Sequence, residues 1–372
     1  MSIFSLKPDP VIGVDISSTA IKLLELSKAG KGYKVESYAI ETLPEKAMED
    51  KNINEVEQVG DAIGLAVKRA KPKTLNAAVA VAGPAVITKI ITMDKGMSAK
   101  DMKEQIESDP AAYLGQDIED VHLDFLEIGD NEQEPEDRID LSLVACRTET
   151  IEALQTALEL GGLKSLIVDI EKYALENALV MTAQHDPQIK ENEIIALIEV
   201  GATTTTMSVL GEQKVVYTHE EMFGGKQLTD QILAQYELSY EEAANAQRNG
   251  GLPDDYQAEL LEPFEVEMAQ QINRMVQYYY STCNYGKSSH ILIAGGCASP
   301  GIVKQVNDKV GGRVTIINPL ASMSVATRVG KRALMNDAPA LMTACGLALR
   351  TFDEYWISNL SKSIFYRDIL QK

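Results

Sequence analysis

The sequence predicts an α/β fold made of two halves on one plan. Strand and helix patterns alternate along most of the chain, and one strand–turn–strand arrangement occurs twice. The length, 372 residues, exceeds what one hydrophobic core usually organises and predicts about two domains.

The first arrangement is VIGVDISSTAIKLLEL, Val11 to Leu26. Apolar residues lead to a single carboxylate, Asp15. The hydroxyl residues Ser17, Ser18 and Thr19 follow, and the chain then turns apolar again. This reads as two strands joined by a tight polar turn without the Asn-Gly of a short hairpin. A third strand, YKVESYAI (Tyr33 to Ile40), comes after SKAGKG. The second arrangement is IIALIEVGATTTTMSVLGEQKVVYTHE. Setting Glu199 on Asp15 repeats the layout at an offset of 184 residues (199 minus 15), about half the chain.

The remaining elements follow in order. NAAVAVAG and DLSLVAC read as buried strands. RTETIEALQTALELGG reads as a helix with a Thr148 cap and a Gly161-Gly162 stop. LKSLIVDI is a strand leading into the helical EKYALENALVMTAQ. From about Ile91 the pattern changes to a small α+β insertion. MSAKDMKEQIESDPAAYL reads as one amphipathic helix capped by Ser98, and DVHLDFLEIG as a strand whose hairpin is closed by the acidic DNEQEPEDR. In the second half, PFEVEMAQQINRMVQYYYSTC reads as a long helix with Val266, Ile272, Met275, Val276 and Tyr279 on its core stripe. The domain reading is residues 1–90 with 145–190 and 320–353 as the first lobe, and 91–144 as its insertion. Residues 191–223 with 289–319 form the second lobe, 224–288 its helical subdomain and 354–372 a tail.

Composition excludes several classes. Fifty-five acidic against 35 basic residues give a net charge of −20, which repels nucleic-acid phosphates and anionic lipid. No apolar run approaches a membrane span, and MSIFSLKPDP lacks the features of a signal peptide. Cys146, Cys283, Cys297 and Cys345, like His122, His185, His219 and His290, match no metal or redox spacing. Reduced thiols in a cytoplasmic protein are expected.

A strand–turn–strand rich in small hydroxyl residues offers backbone N–H and O–H donors that can wrap phosphate oxygens. A carboxylate at the strand end cannot bind phosphate, but it can hold magnesium through water. The reading therefore places Asp15 and Glu199 on Mg2+, with Ser17, Ser18, Thr19, Gly201, Ala202, Thr203 and Thr204 on a polyphosphate gripped from both halves. The plainer alternative stays open here: the acids cap turns, and the hydroxyls satisfy backbone groups. SSHILIAGGCASPGIVKQVNDKV adds a strand, a Gly295-Gly296 turn where a flat ligand such as adenine can approach, and a helix begun near Pro300. Gly286-Lys287-Ser288 has the look of a P-loop. It follows a helix and precedes a strand, the reverse of that motif.

These motifs resemble the actin–hexokinase nucleotide-binding superfamily and, within it, the FtsA-like PilM family of type IV pilus assembly. GVDISSTAIKLLEL resembles the first phosphate motif, IEVGATTTT the second and ILIAGGCASPG the adenosine motif. MFGGKQLTDQIL, GGLPDDY, NPLASM and DAPALMTACGLALRTFD are similar to PilM sequences, and the likeness runs from about Ile12 to Asp353. It implies an actin-like (ribonuclease H-like) duplicated fold, two lobes around a nucleotide cleft, with an FtsA-type subdomain inserted in the first. It implies Mg-ATP, with Gly224, Gly225, Lys226, Gly295, Gly296 and Ser299 at the nucleoside. It also implies a partner, the cytoplasmic N-terminal tail of PilN, and through it the inner-membrane alignment complex and the pilus motor ATPases. Ser17 stands where the superfamily usually has Gly, and Glu199 where it has Asp. Ala244 and Gln247 stand near positions where many relatives carry Glu and Lys.

The expected function is an ATP-binding adaptor at the cytoplasmic face of the inner membrane, with at most slow hydrolysis. No further acid or histidine near either turn suits a dedicated catalyst. The alternatives are a self-associating FtsA- or actin-like filament ATPase, or a small-molecule kinase. The tail EYWISNLSKSIFYRDILQK places Trp356, Ile357, Leu360 and Ile364 at helical spacing and is expected to dock on the protein's own groove, on a neighbouring molecule, or nowhere.

Overall fold

A computed structural model describes residues 10–115, 120–190 and 193–352; the tail reading lies outside them. The described chain divides into two compact units. One holds the residues up to Leu23, Ala39–Ala174 and those from Leu347 on; the other holds Leu24–Tyr38 and Leu175–Gly346. The chain thus changes unit twice inside a hairpin.

The strands β1 (Ile12–Ile16), β2 (Ala20–Ala29) and β3 (Gly32–Thr42) open the chain. A two-stranded ribbon, β4 (Met48–Glu49) with β5 (Asn52–Ile53), precedes helix α1 (Val56–Ala70). Helix α1 faces its Val59, Ala62, Ile63 and Ala66 inward at helical spacing. β6 (Asn76–Val81) lies parallel to β1, Val14 opposite Val79.

The insertion begins with β7 (Val86–Asp94). Here the single expected helix is two, α2 (Ala99–Ser108) and α3 (Pro110–Leu114). Pro110 has no N–H to continue the ladder and disfavours helical backbone at Asp109, whose carboxylate accepts from the Ala112 N–H instead. Ser98 caps α2 by accepting from the Asp101 N–H. β8 (Val121–Asp130) and β9 (Arg138–Arg147) form the expected hairpin, and the sheet runs β7-β9-β8. Met102, Ile106 and Leu114 join Ile91, Met93, Leu141 and Leu143 in a core of its own.

α4 (Thr148–Leu160) differs from expectation at its start: Arg147 holds the N-cap position without a side-chain bond, and Thr148 is the first helical residue. β10 (Lys164–Ile170) pairs parallel to β6. Deep in this unit Asp169 accepts from Arg350 at 2.7 Å, and Thr351 Oγ1 accepts from the Val11 N–H, so the chain returns to β1 near its end.

α5 (Glu171–His185) leads into the second unit and β11 (Ile195–Val200), β12 (Thr205–Gly211) and β13 (Lys214–Glu221). Helices α6 (Lys226–Tyr236), α7 (Tyr240–Asn249) and α8 (Glu262–Thr282) follow, the last preceded by a π-helical turn at Gln257–Leu261. Ile272, Met275, Val276 and Tyr279 of α8 are buried as expected; Val266 instead lines a surface depression with Pro263 and Gln270. β14 (His290–Ala294), α9 (Pro300–Val310), β15 (Arg313–Ile316) and β16 (Ser324–Val325) complete the strands. α10 (Lys331–Asp337) and α11 (Met342–Leu349) complete the helices.

The duplication is visible in strand order. One sheet runs β10-β6-β1-β2-β3-β16 and the other β13-β12-β11-β14-β15. In both, three consecutive strands lie side by side and two parallel strands are added beyond the first. Among the described residues, no helix is long and apolar enough to cross a membrane.

Candidate functional site

In the first unit, β1 is buried up to Asp15, which is 7% exposed. The strand then bends. The Ser17 N–H donates to the Ala20 carbonyl at 3.0 Å, the Ser17 hydroxyl donates to the same oxygen at 2.9 Å, and the Leu43 N–H donates to Thr19 O. Ser17 thus does what the plainer reading expects of a turn hydroxyl. Ser18 and Thr19 fill the bend between β1 and β2. Asp15 is not a bare carboxylate: Lys22 Nζ, on β2, lies 2.8 Å from its Oδ2, with both side chains largely buried. Sequence reasoning missed Lys22. The available signal was a lysine set between the apolar Ile21 and Leu23, seven residues after the acid.

In the second unit, β11 ends at Val200, and the Gly201 N–H donates to the Thr204 carbonyl at 2.9 Å. This is the counterpart of Ser17 N–H to Ala20 O, displaced by the same 184 residues (201 minus 17, 204 minus 20). A Cβ on Gly201 would stand 2.9 Å from Thr204 O. Glu199 sits on β11 opposite Thr206 and beside Ala294 of β14. Thr205 below the turn is fully buried and donates to Phe223 O at 2.7 Å.

Two further segments close on this second turn. The Gly225 N–H donates to Gly201 O at 3.0 Å and the Lys226 N–H to Ala202 O at 2.7 Å. A Cβ on Gly224 would lie 2.6 Å from both carbonyls, and one on Gly225 would strike Cys297 Sγ. The Cys297 N–H donates to Val200 O at 3.2 Å, and Gly295, at φ +95, places its Cα against the Val200 backbone where no side chain fits. The space beside Gly296 is open. The structure therefore joins Gly201 and Ala202 to Gly224, Gly225 and Lys226, and Val200 to Gly295, with Thr203 and Thr204 in the turn itself.

Other expected nucleoside residues carry structural duties. Lys226 Nζ pairs with Asp230 at 2.9 Å on the exposed face of α6. Ser299 caps α9, accepting from the Ile302 N–H at 3.0 Å and donating to Glu265 Oε1 at 2.6 Å. Thr229 donates to Gln247, which also bonds Tyr256. Burial, ahead of the nearby Glu265 charge, raises the Tyr256 pKa. Among the described residues, no group of three His, Cys, Asp or Glu side chains is placed to hold a metal ion. A magnesium ion at Asp15 or Glu199 would need oxygens from its ligand and water, as magnesium at phosphates usually does.

The family model for the type IV pilus assembly protein PilM matches residues 13–352. The chain belongs to the PilM family. The chain in a solved PilM–PilN type IV pilus biogenesis complex is 23% identical, with 93% of this chain and 99% of that one covered and a TM-score of 0.74. The ethanolamine utilization protein EutJ from Carboxydothermus hydrogenoformans is 15% identical, covering 92% and 90%, with a TM-score of 0.52. The fold of this PilM-family chain is that of the actin-like ATPases, and two sheets of like strand order are consistent with it.

Proposed function

We propose that this PilM-family protein is a nucleotide-binding adaptor of type IV pilus assembly. It takes ATP with Mg2+ and docks the cytoplasmic N-terminal tail of PilN. Through PilN it sits at the cytoplasmic face of the inner membrane, linked to the pilus motor ATPases directly or through other components. The observation that carries the nucleotide reading is the turn hydrogen bond repeated at an offset of 184 residues, in a family whose solved relative bears the name PilM–PilN complex.

The donor set fits a magnesium nucleotide. Ser18, Thr19, Thr203 and Thr204 line the two turns, and the glycines of the second unit leave backbone without side chains at the bend. Lys22 brings a positive charge that the sequence reading lacked, and it is held at Asp15 until an anion competes for it. Magnesium, when bound, supplies charge neutralisation of the phosphates. The carboxylates of Asp15 and Glu199 would hold it through water, while Gly295 and Gly296 face the nucleoside.

Calorimetry with Mg-ATP and with a peptide of the PilN tail tests the reading. Saturable binding of both, with peptide affinity changed by ATP, is the expected result. A purified protein that binds no Mg-ATP while folded, and of which a separate sample releases no nucleotide on denaturation, ends the nucleotide part; a peptide that fails to bind ends the adaptor part. ATP-dependent sedimentation of polymers would replace the adaptor with a filament.

A further inference from the structure

Glu265 has no place in the turn chemistry, yet it is a carboxylate only 7% exposed in the first turn of α8, the second unit's core helix. Its Oε1 accepts from Ser299 at 2.6 Å. Its carboxylate also lies flat against Gly301, so that a methyl group there would collide with it. Both contacts are in the first turn of α9, an eleven-residue helix whose N-terminal N–H groups favour negative charge. A buried acid is costly unless such partners meet it.

From these contacts we propose that Glu265 is the positioning residue of the Gly295–Ser299 loop. The carboxylate occupies the N-terminus of α9, fixes Ser299, and leaves the loop to the uncharged nucleoside end of the ligand. The chain of contact is short. Glu265 holds Ser299, the loop runs back to Cys297, and the Cys297 N–H reaches Val200 O at the root of the phosphate turn. With protein carboxylate already at α9, a phosphate is repelled from that helix end. The orientation follows: phosphates at Gly201–Thr204, nucleoside at Gly295–Ser299. This rests on the nucleotide reading for the ligand, and on the structure alone for the loop.

The test uses the full chain with Glu265→Ala, Glu265→Gln, Gly301→Ala and the double variant Glu265→Ala/Gly301→Ala. Met275→Ala, on the same helix and in the same core, controls for lost stability. Hydrogen exchange of the amides from Gly295 to Ile302 is read beside the Kd of Mg-ATP. Glu265→Ala is expected to speed exchange in that loop and weaken ATP about tenfold, the scale of one charged hydrogen bond. Glu265→Gln keeps an acceptor for Ser299 and recovers most of both. Gly301→Ala reproduces the loss in the wild-type background, and in the Glu265→Ala background it adds none, because the carboxylate it strikes is gone. Met275→Ala lowers Tm without touching loop exchange or Kd. Unchanged loop exchange in Glu265→Ala, or equal effects from Met275→Ala, overturns the proposal. If the wild type binds no ATP, the nucleotide reading falls; faster loop exchange in Glu265→Ala then still supports the positioning role, and unchanged exchange still sinks it.

Discussion

The two turns are closed by the same hydrogen bond and held by opposite means. At the first, the Ser17 side chain reinforces the bend and a buried Lys22–Asp15 pair stands beneath it. At the second, side chains are removed. Gly201, Gly224, Gly225 and Gly295 let three backbone segments meet, and their N–H and carbonyl groups bond each other directly. The first turn is thus specified by charge and a hydroxyl, the second by the absence of Cβ atoms. A duplicated plan keeps the backbone bond that makes the bend, while each copy meets its surroundings with different chemistry.

The steric side of this comparison breaks hardest at Gly295. Gly295→Ala puts a methyl into the Val200 backbone and forces an L-residue to φ +95. Strain at such an angle and overpacking together cost about 3–4 kcal/mol, a large share of a marginal domain stability. Thermal unfolding should show the loss, and the Cys297 amide should lose exchange protection. A neutral Gly295→Ala would mean that the three segments are not packed as described.

The electrostatic side breaks at Lys22. Lys22→Met leaves Asp15 buried without its cation, which costs about 3 kcal/mol or more. The double variant Asp15→Asn/Lys22→Met, which removes both charges, should restore much of that stability while still abolishing ATP binding. Denaturant midpoints and calorimetry separate the two effects. If the single variant is as stable as wild type, the pair is not the support of the first turn.

A smaller effect is expected from giving the second turn the first turn's residue. Gly201→Ser places its Cβ 2.9 Å from the Thr204 carbonyl, a backbone atom that cannot swing away, for about 2 kcal/mol by overpacking. A lower denaturant midpoint with an intact Lys22–Asp15 pair would leave the comparison standing; a stabilised Gly201→Ser protein would show that glycine there is not steric.

How much of this was legible in the sequence depends on how local the cause is. The repeat was legible because alternation, an acid and hydroxyls occupy a dozen consecutive residues, and the shared bond falls on the matching positions. The break at Asp109 was also written locally, in Pro110, though the surrounding amphipathic pattern concealed it. Lys22 was hidden because an ion pair across a bend depends on strand register, and its partner already had a plausible duty with magnesium. The glycine assembly was half legible. Gly224, Gly225 and Gly295 belong to motifs that resemble the family's, but that the first two meet Gly201 and the third meets Val200, backbone to backbone, is a tertiary fact. Glu265 gave no signal, since an acid on a long helix reads as solvated until its neighbours are known. Val266, at core spacing on α8 yet lining a surface depression, shows the same weakness of one-dimensional periodicity.

The gentlest exchange sharpens the comparison most, because its two readouts are expected to move in opposite directions. Ser17→Gly removes the hydroxyl's bond to Ala20 O and adds the conformational freedom of glycine, together about 1–2 kcal/mol of stability lost. The Ser17 N–H bond to the same carbonyl remains, so the bend itself should persist. Glycine at this position clears the volume of the serine side chain and, on the proposed nucleotide reading, would let an anion come closer to the backbone of the first turn. A lower Tm with tighter Mg-ATP binding is therefore the expected pair of results. Lower affinity in step with lower Tm would place the hydroxyl among the ligand's contacts, and would mean that the first turn grips phosphate through Ser17 itself.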